Sequence, residues 1–438
     1  MRKSFMLPIA ALCFGVANAD TYGPDANGQT WYYTVSGSTV TLTGVEDKTT
    51  ATDAATIPWV IDGHAVTAIG ANAFRRINPA NANLVGVLTI PDSVTTIGAA
   101  AFCDCTGLTE VKSWGGVTSW GDWAFGAYTQ SEPMYMKGEF PDLSKAVKLG
   151  SNMFTRCPNL TGSVEINPSL TAIPQGAFYQ SYLSGTVVFP ASVDTINYAK
   201  RITSGAFRDC PNLEAVWVKG KAAAENQTYT SVYLMDFTRL CDSLEMVLMG
   251  RNTTAQLPDP INSILAGTSN VEWFAPANST WDALTTSTIG GTGNKVWKYG
   301  PDEDFDLEID DVAMTATITP KTADALVNAL AWAPKFKRLF NLDTVISITG
   351  SITVPEGAIT AEMLQCVKLD SPSWFMTFAV KTQAQLDAVL AAVDGPVVID
   401  ITGSKEEITV PEGRSVAVLV PGGAAFNYRK RGLIIVFK

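Results

Sequence analysis

The sequence predicts a β-rich solenoid with one short parallel strand per repeat, followed by a small α/β domain of two β-α-β-β units. Three observations predict it. A short apolar phrase recurs at nearly regular intervals from residue 56 to about 250. A second, unrelated duplication occupies the last third of the chain. The composition is that of a protein with a large core: 438 residues, 46% of them hydrophobic and only 17% charged, which excludes a disordered chain.

The N-terminal element is an address rather than structure. Arg2 and Lys3 precede an apolar run from Phe5 to Val16, and Ala17-Asn18-Ala19 then supplies the small-x-small pattern of a signal-peptidase site. The run is too short to span a bilayer. Residues 1–19 are therefore expected to be removed after Ala19, which takes the net charge from −11 to −13. Cys13 could carry a lipid, but Leu12 stands before it where a small residue is usual. No later segment has eighteen uninterrupted apolar residues, so no integral membrane span is expected after cleavage. Residues 20–55 read as an N-terminal β-hairpin cap.

Residues 56–300 form the repeat. An Ile-like residue, usually followed by Gly, precedes Phe by five positions in Ile69/Phe74, Ile97/Phe102, Trp120/Phe125, Leu149/Phe154, Ile173/Phe178, Ile202/Phe207 and Val232/Phe237. The steps from Phe to Phe are 28, 23, 29, 24, 29 and 30 residues. Cys105, Cys157, Cys210 and Cys241 follow their Phe residues by three or four positions, and Leu108, Leu160, Leu213 and Leu244 come three later. Short apolar or alternating runs then read as strands, among them Val164-Glu165-Ile166, Val216-Trp217-Val218 and Met246-Val247-Leu248. A unit this small cannot bury its own apolar face. Stacking places Phe on Phe and Leu on Leu, which makes a core along the axis.

These residues carry a resemblance. "IPDSVTTIGAAAFCDCTGLTEV" (Ile90 to Val111) and "IPWVIDGHAVTAIGANAF" (Ile57 to Phe74) resemble the repeat of the BspA-like leucine-rich repeat family of bacterial secreted and surface proteins. "WYYTVSGSTVTLTGV" (Trp31 to Val45) resembles the hairpin that precedes it, and "VEWFAPANSTWDAL" (Val271 to Leu284) its closing unit. The likeness covers roughly residues 28–300. Trp120 and Leu149 depart from Ile, Pro174 departs from Gly, and the Val232 unit lacks Gly. The resemblance implies a leucine-rich-repeat solenoid in a secreted or cell-surface, adhesin-like protein. Its implied partner is a host or bacterial surface protein.

Residues 301–438 form the second domain. Asp302 to Asp311 carries seven acidic residues in ten. A calcium loop of the EF-hand kind would need Gly where Leu307 stands, so the run reads as an acidic linker entering a strand. "MTATITPKTADALVNAL" (Met314 to Leu330) and "MTFAVKTQAQLDAVL" (Met376 to Leu390) each predict a strand and then an amphipathic helix. Thr322 and Thr382 are the N-caps. Ala325, Leu326, Ala329 and Leu330 mark one apolar face; Leu386, Val389, Leu390 and Val393 mark the other. Both copies reach "ITVPEG", so Glu356 and Glu412 recur at matched places. Paired carboxylates can hydrolyse glycosides, but Pro-Glu-Gly is equally a polar turn.

The function classes narrow by residue type. The acidic balance argues against nucleic acid, whose phosphates need a basic face. A single histidine, His64, removes most histidine-based catalysis and every site with two His ligands. It is expected in a turn between strands. The six cysteines left after cleavage are expected as free buried thiols. Equivalent ones mostly lie two repeats apart, about 10 Å, and a disulfide needs Cα atoms within about 7 Å. No metal, cofactor or catalytic set is predicted, and "GGTGNK" (Gly290 to Lys295) reads as a flexible loop. Among eleven tryptophans, Trp114 and Trp123 stand near Tyr128. These three are the candidate ligand contacts, since aromatic side chains anchor protein partners and stack on sugars. Trp120, at the Ile position, is expected in the core. The leading expectation is thus a binding protein without catalysis. The alternatives are carbohydrate capture by the aromatics and a secreted hydrolase.

Overall fold

The computed structural model describes residues 20–25, 28–46, 56–76, 84–128, 131–192, 195–196, 205–219, 231–232, 238, 240–250, 265, 267–277, 284–287, 289, 291–300, 302–347, 352–353, 367–370, 376–392, 397–401, 404–405, 408–409, 416–419, 424–429 and 432–437. The expected signal peptide with Cys13, the pair Glu356 and Glu412, Ile202, Phe237 and Val393 all lie outside these. The chain forms two compact units. One comprises residues 1–161 and 174–182, the other residues 162–173 and 183–438.

The first unit contains β1 (Asp20–Tyr22), β2 (Trp31–Ser36), β3 (Thr39–Val45), β4 (Val60–Ile61), β5 (His64–Ile69), β6 (Gly86–Ile90), β7 (Thr96–Ile97), β8 (Leu108–Trp114), β9 (Ser119–Trp120), β10 (Gly138–Glu139) and β11 (Leu160–Thr161). β1, β2 and β3 form the expected antiparallel cap. From β3 the sheet turns parallel, in the order β1-β2-β3-β5-β7-β9. β4 and β5 form a hairpin around Asp62 and Gly63, both at positive φ (49° and 79°), as a tight primed turn requires. A second parallel sheet pairs β6 with β8, and a third pairs β10 with β11.

The turns therefore hold more strand than the single one predicted after each Leu. The Ile-like residue of the phrase sits on a two-residue strand of its own, as Ile97 and Trp120 show. The Phe residues stack as predicted. Ring centroids lie 5.1 Å apart for Phe74 and Phe102, 4.5 Å for Phe102 and Phe125, 5.9 Å for Phe125 and Phe154, and 6.0 Å for Phe154 and Phe178. Trp31 closes the column with an edge contact on Phe74.

The second unit begins with β12 (Ala172–Ile173), β13 (Gly185–Phe189), β14 (Thr195–Ile196), β15 (Leu213–Val218), β16 (Ser231–Val232), β17 (Met246–Met249), β18 (Glu272–Pro276) and β19 (Lys295–Tyr299). Two parallel sheets result, β12-β14-β16 and β13-β15-β17-β18-β19. There follow β20 (Phe305–Asp310), β21 (Thr315–Pro320), α1 (Ala323–Phe340), β22 (Asp343–Ser347), β23 (Ile352–Thr353), β24 (Val367–Asp370), β25 (Met376–Ala379), α2 (Gln383–Ala392), β26 (Val397–Asp400), β27 (Val416–Leu419), β28 (Ala424–Arg429) and β29 (Gly432–Phe437). They build two further sheets, β20-β21-β22-β24 and β23-β25-β26-β27-β28-β29. In each, a helix links two parallel strands, β21 to β22 and β25 to β26, as the duplicated β-α-β-β pattern predicts.

The acidic run enters a strand: Asp306, Glu308 and Asp310 lie on β20, paired with β21. Asp310 then accepts the backbone N–H groups of Val312 and Ala313 through Oδ1 and shapes the turn. Thr322 caps α1 by accepting from the Ala325 N–H at 3.2 Å. The helix runs past Pro334 and stops at Asn341, which adopts the left-handed conformation. Thr382 and Gln385 exchange bonds across the first turn of α2, a capping box.

Candidate functional site

In the second unit, the strands β15, β17 and β18 are apolar on both faces. Val216, Val218 and Val247 point into the solenoid and are fully buried. Their neighbours Ala215, Trp217, Met246, Leu248 and Phe274 point the other way and are also buried, in one core with Leu326, Trp332, Phe336 and Phe340 of α1. This strand face is filled by the chain itself. The continuous apolar runs of β15 and β17 carry the signal, because a strand that alternates in hydrophobicity has one wet face and a continuous one has none.

In the first unit the strand face is polar and open. Val111 and Leu108 are buried, while Thr109 and Lys112 are exposed. Met134 and Met136 are both fully buried, and Tyr135 between them is 57% exposed. Lys137 continues this face, bridged to Glu110 of β8. Sequence reasoning missed Tyr135, although Met-Tyr-Met is itself a period-two alternation.

The three predicted contact residues separate. Trp114 is half-buried and turns its ring toward the core. Its centroid lies 5.0 Å from Phe125, 5.6 Å from Phe154 and 5.8 Å from Trp120, all edge-on. Its indole N–H donates to the Glu139 carbonyl at 2.8 Å. Trp120 is fully buried, as expected. Trp123 and Tyr128 do come together, stacked with centroids 4.3 Å apart and planes 22° from parallel. The Arg75 guanidinium sits 4.8 Å from the Tyr128 centroid. A ring at 4.3 Å fills one face of Tyr128, so the guanidinium takes the other.

The backbone fixes this column. The Tyr128 N–H donates to Asp104 Oδ1 at 2.8 Å, and its carbonyl accepts from Arg156 Nη1 at 3.0 Å. Trp123 holds positive φ (57°) and packs against Gly126, where a Cβ would come within 2.9 Å of the indole. Burial pushes the Tyr128 phenol above its ordinary pKa. Arg75 carries no signal of this role in the sequence, because nothing in its local pattern reveals a ring from a later turn.

The remaining candidates resolve into structure. His64 opens β5, and its Nδ1 lies 3.0 Å from the Asp62 carbonyl. Cys103, Cys105, Cys157, Cys210 and Cys241 are buried thiols outside any disulfide, as predicted for them; the sixth, Cys366, lies outside the described residues. Among the described residues no group of three or more His, Cys, Asp or Glu is placed to hold a metal ion. In "GGTGNK", Asn294 is buried. Its Oδ1 accepts from the Val271 N–H at 2.8 Å and its Nδ2 donates to the Thr268 carbonyl at 3.0 Å. The loop thus ties adjacent turns together.

Comparison with known proteins bears on the repeat alone. The family model described as "BspA type Leucine rich repeat region" matches in six copies, over residues 67–214 and 143–236. No curated protein matches the chain, and no solved structure does. The matched stretch contains the stacked Phe column from Phe74 to Phe178 and the parallel strands from β6 to β16. The repeat region, residues 67–236, belongs to the BspA-type leucine-rich repeat family.

Proposed function

We propose that this chain is a secreted or cell-surface binding protein, adhesin-like and without catalysis, whose partner is a protein on a host or bacterial surface. The observation that carries the reading is the open face of the first unit, with Thr109 and Lys112 exposed on β8 and Tyr135 and Lys137 exposed on the segment that leads into β10. Stacked repeats hold such side chains in a rigid row, and a repeat surface recognises partners through many such contacts. Tyrosine is a favoured anchor at protein interfaces. The expected signal peptide supports export, and no helix among the described residues is long and apolar enough to cross a membrane.

The Trp123–Tyr128 stack is the second candidate contact, and its geometry favours a protein over a sugar. A pyranose needs a free aromatic face, and both faces of Tyr128 are taken. The stack offers ring edges, a hydroxyl and a guanidinium, which suit polar groups of a protein.

A binding array of matrix proteins, cell-surface proteins and glycans, probed with residues 20–438, tests the reading. A protein hit is expected, weakened at least tenfold by Tyr135→Ala with Lys112→Glu, as loss of an interface anchor implies. Unchanged binding would remove the strand face from consideration. A hit on glycans alone, abolished by Tyr128→Ala, would favour carbohydrate capture instead.

A further inference from the structure

The charged side chains on the open face of the first unit alternate in sign. Glu110 of β8 is bridged to Lys137 of the segment beside it. The Lys137 N–H donates to the Thr109 carbonyl at 2.9 Å, and the Val111 N–H to the Lys137 carbonyl at 2.8 Å. Two residues further on, Lys112 is the next outward side chain of β8 and Glu139 the next of its neighbour. There the Trp114 indole N–H reaches the Glu139 carbonyl at 2.8 Å. Strands stand about 4.8 Å apart and two residues rise about 6.6 Å. The four side chains thus mark a rectangle with like charges on its diagonals. Lys112, Lys137 and Glu139 are exposed, and Glu110 is half-buried. None of the four makes an ion pair with another described residue.

Such a rectangle is its own complement. A partner patch of one sign gains two attractions here and suffers two repulsions, and opposed like charges exclude a partner. A second copy, turned about a two-fold axis in the plane of the face, suffers none. Whether that axis runs along the strands or across them, Glu110 meets one lysine of the second copy and Glu139 meets the other. This is an isologous contact, the kind that closes a two-fold dimer. Val87 of β6, paired with Glu110 and half-buried, adds apolar surface on one side, and the exposed Tyr135 ring adds it at one end. The face spans β6, β8, β10 and β11. It is therefore about 19 Å wide, and about 16 Å long over five residues. That is below the roughly 800 Å² per partner of a standard interface, so the contact is weak and reversible.

The geometry points to a second copy of this chain as the partner of this face, docked on it face to face through the alternating charges. The inference rests on the binding reading above and names its partner.

Sedimentation velocity of residues 20–438 across about 5–500 µM tests it. A monomer–dimer equilibrium is expected, with a dissociation constant of about 10–500 µM. Lys112→Glu with Lys137→Glu should weaken it by about tenfold or more, and so should Glu110→Lys with Glu139→Lys. The second pair is the sharper test. The chain has an excess of acidic residues, and reducing that excess would promote association if overall charge were in control. The chain with all four residues exchanged regains the alternation and should return to within about threefold of the original. A monomer at about 500 µM, a dimer untouched by either pair, or a tighter dimer from the second pair would overturn the inference. Circular dichroism checks each fold. Glu110→Gln with Glu139→Gln replaces a charge-reversed pair that does not fold, and should weaken the dimer by about threefold or more. The binding array separates this inference from the reading beneath it. A chain that stays monomeric yet binds a different surface protein through Tyr135 and Lys112 keeps that reading and ends the self-partner.

Discussion

The sulfur of Cys105 shows why the repeat places a cysteine where it does. Its Sγ–H donates to the Phe74 carbonyl of the preceding turn at 2.8 Å, and Cys241 does the same to Phe207 at 3.1 Å and Cys157 to Phe125 at 3.4 Å. The position needs a small apolar group that can still satisfy a buried carbonyl, and a thiol does both. Burial pushes the thiols of Cys103, Cys105, Cys157 and Cys241 well above their ordinary pKa. The folded chain should therefore leave these thiols unreactive toward Ellman's reagent at pH 8, and a reductant should leave Tm unchanged. Because the folded pKa is raised, the native state holds protons that the unfolded state releases. The stabilisation is then complete below about pH 8.5, the ordinary thiol value, and is lost progressively as pH rises beyond it. Tyr33, raised to about 12 by its hydrogen bond to Asp62 and by burial, adds to the loss above about pH 10. A melting series from about pH 7 to 11 checks the sign. Trp114 is the other residue whose role separates by energy. With its ring among Phe125, Phe154 and Trp120, Trp114→Ala should cost about 2–4 kcal/mol. Tyr128→Ala, on a 43% exposed side chain, should cost about 1 kcal/mol. Urea denaturation of the two variants distinguishes core from surface.

At the scale of one turn, the Gly of the recurring phrase has a steric cause. A Cβ on Gly121 would lie 2.3 Å from the Ala99 nitrogen and 2.4 Å from the Gly98 carbonyl carbon. The backbone of each turn rests directly on the one before, and the Gly121 N–H donates to the Ile97 carbonyl at 2.8 Å. Gly121→Ala should therefore destabilise the first unit by more than about 2 kcal/mol, since the obstacle is backbone and has no rotamer to yield. A guanidinium melt showing a loss below about 1 kcal/mol would mean the turns can separate. This element is legible in the sequence alone, because Ile-Gly and Phe recur at a fixed offset and only stacking explains a repeated offset. Strand count is less legible. Two-residue strands such as Ser119–Trp120 leave no alternation to detect. The helices are legible from their caps and faces, yet nothing local shows that α1 continues past Pro334. That continuation depends on Phe336 and Phe340 finding an apolar floor contributed by strands far earlier in the chain.

Across the second unit the same distinction holds, and it has a thermodynamic consequence. The apolar runs of β15 and β17 state that both faces are covered; which segment covers the outer one is a tertiary fact with no periodic signature. The repeat pattern predicts a solenoid and a separate α/β domain, and the contacts place α1 in one core with β15, β17 and β18. Leu326, Trp332, Phe336 and Phe340 are nearly all removed from water in that core, which Phe305, Leu307, Ile318 and Ile346 of the sheet on either side of α1 also line. At about 25 cal/mol per Å² of apolar surface, four such side chains represent roughly 6–12 kcal/mol of burial in the shared core. The ion pairs of Arg338 with Glu214 and Glu245 are about half-exposed and add little by comparison. Elements that share a core on this scale open together rather than in sequence. Hydrogen exchange followed by mass spectrometry across a urea series should therefore give α1 and the strands β15, β17 and β18 a common opening free energy and a common midpoint. Loss of protection in α1 at lower urea, with the strands still protected, would mean that the helix detaches as a unit of its own and that the shared core contributes far less than its buried area implies.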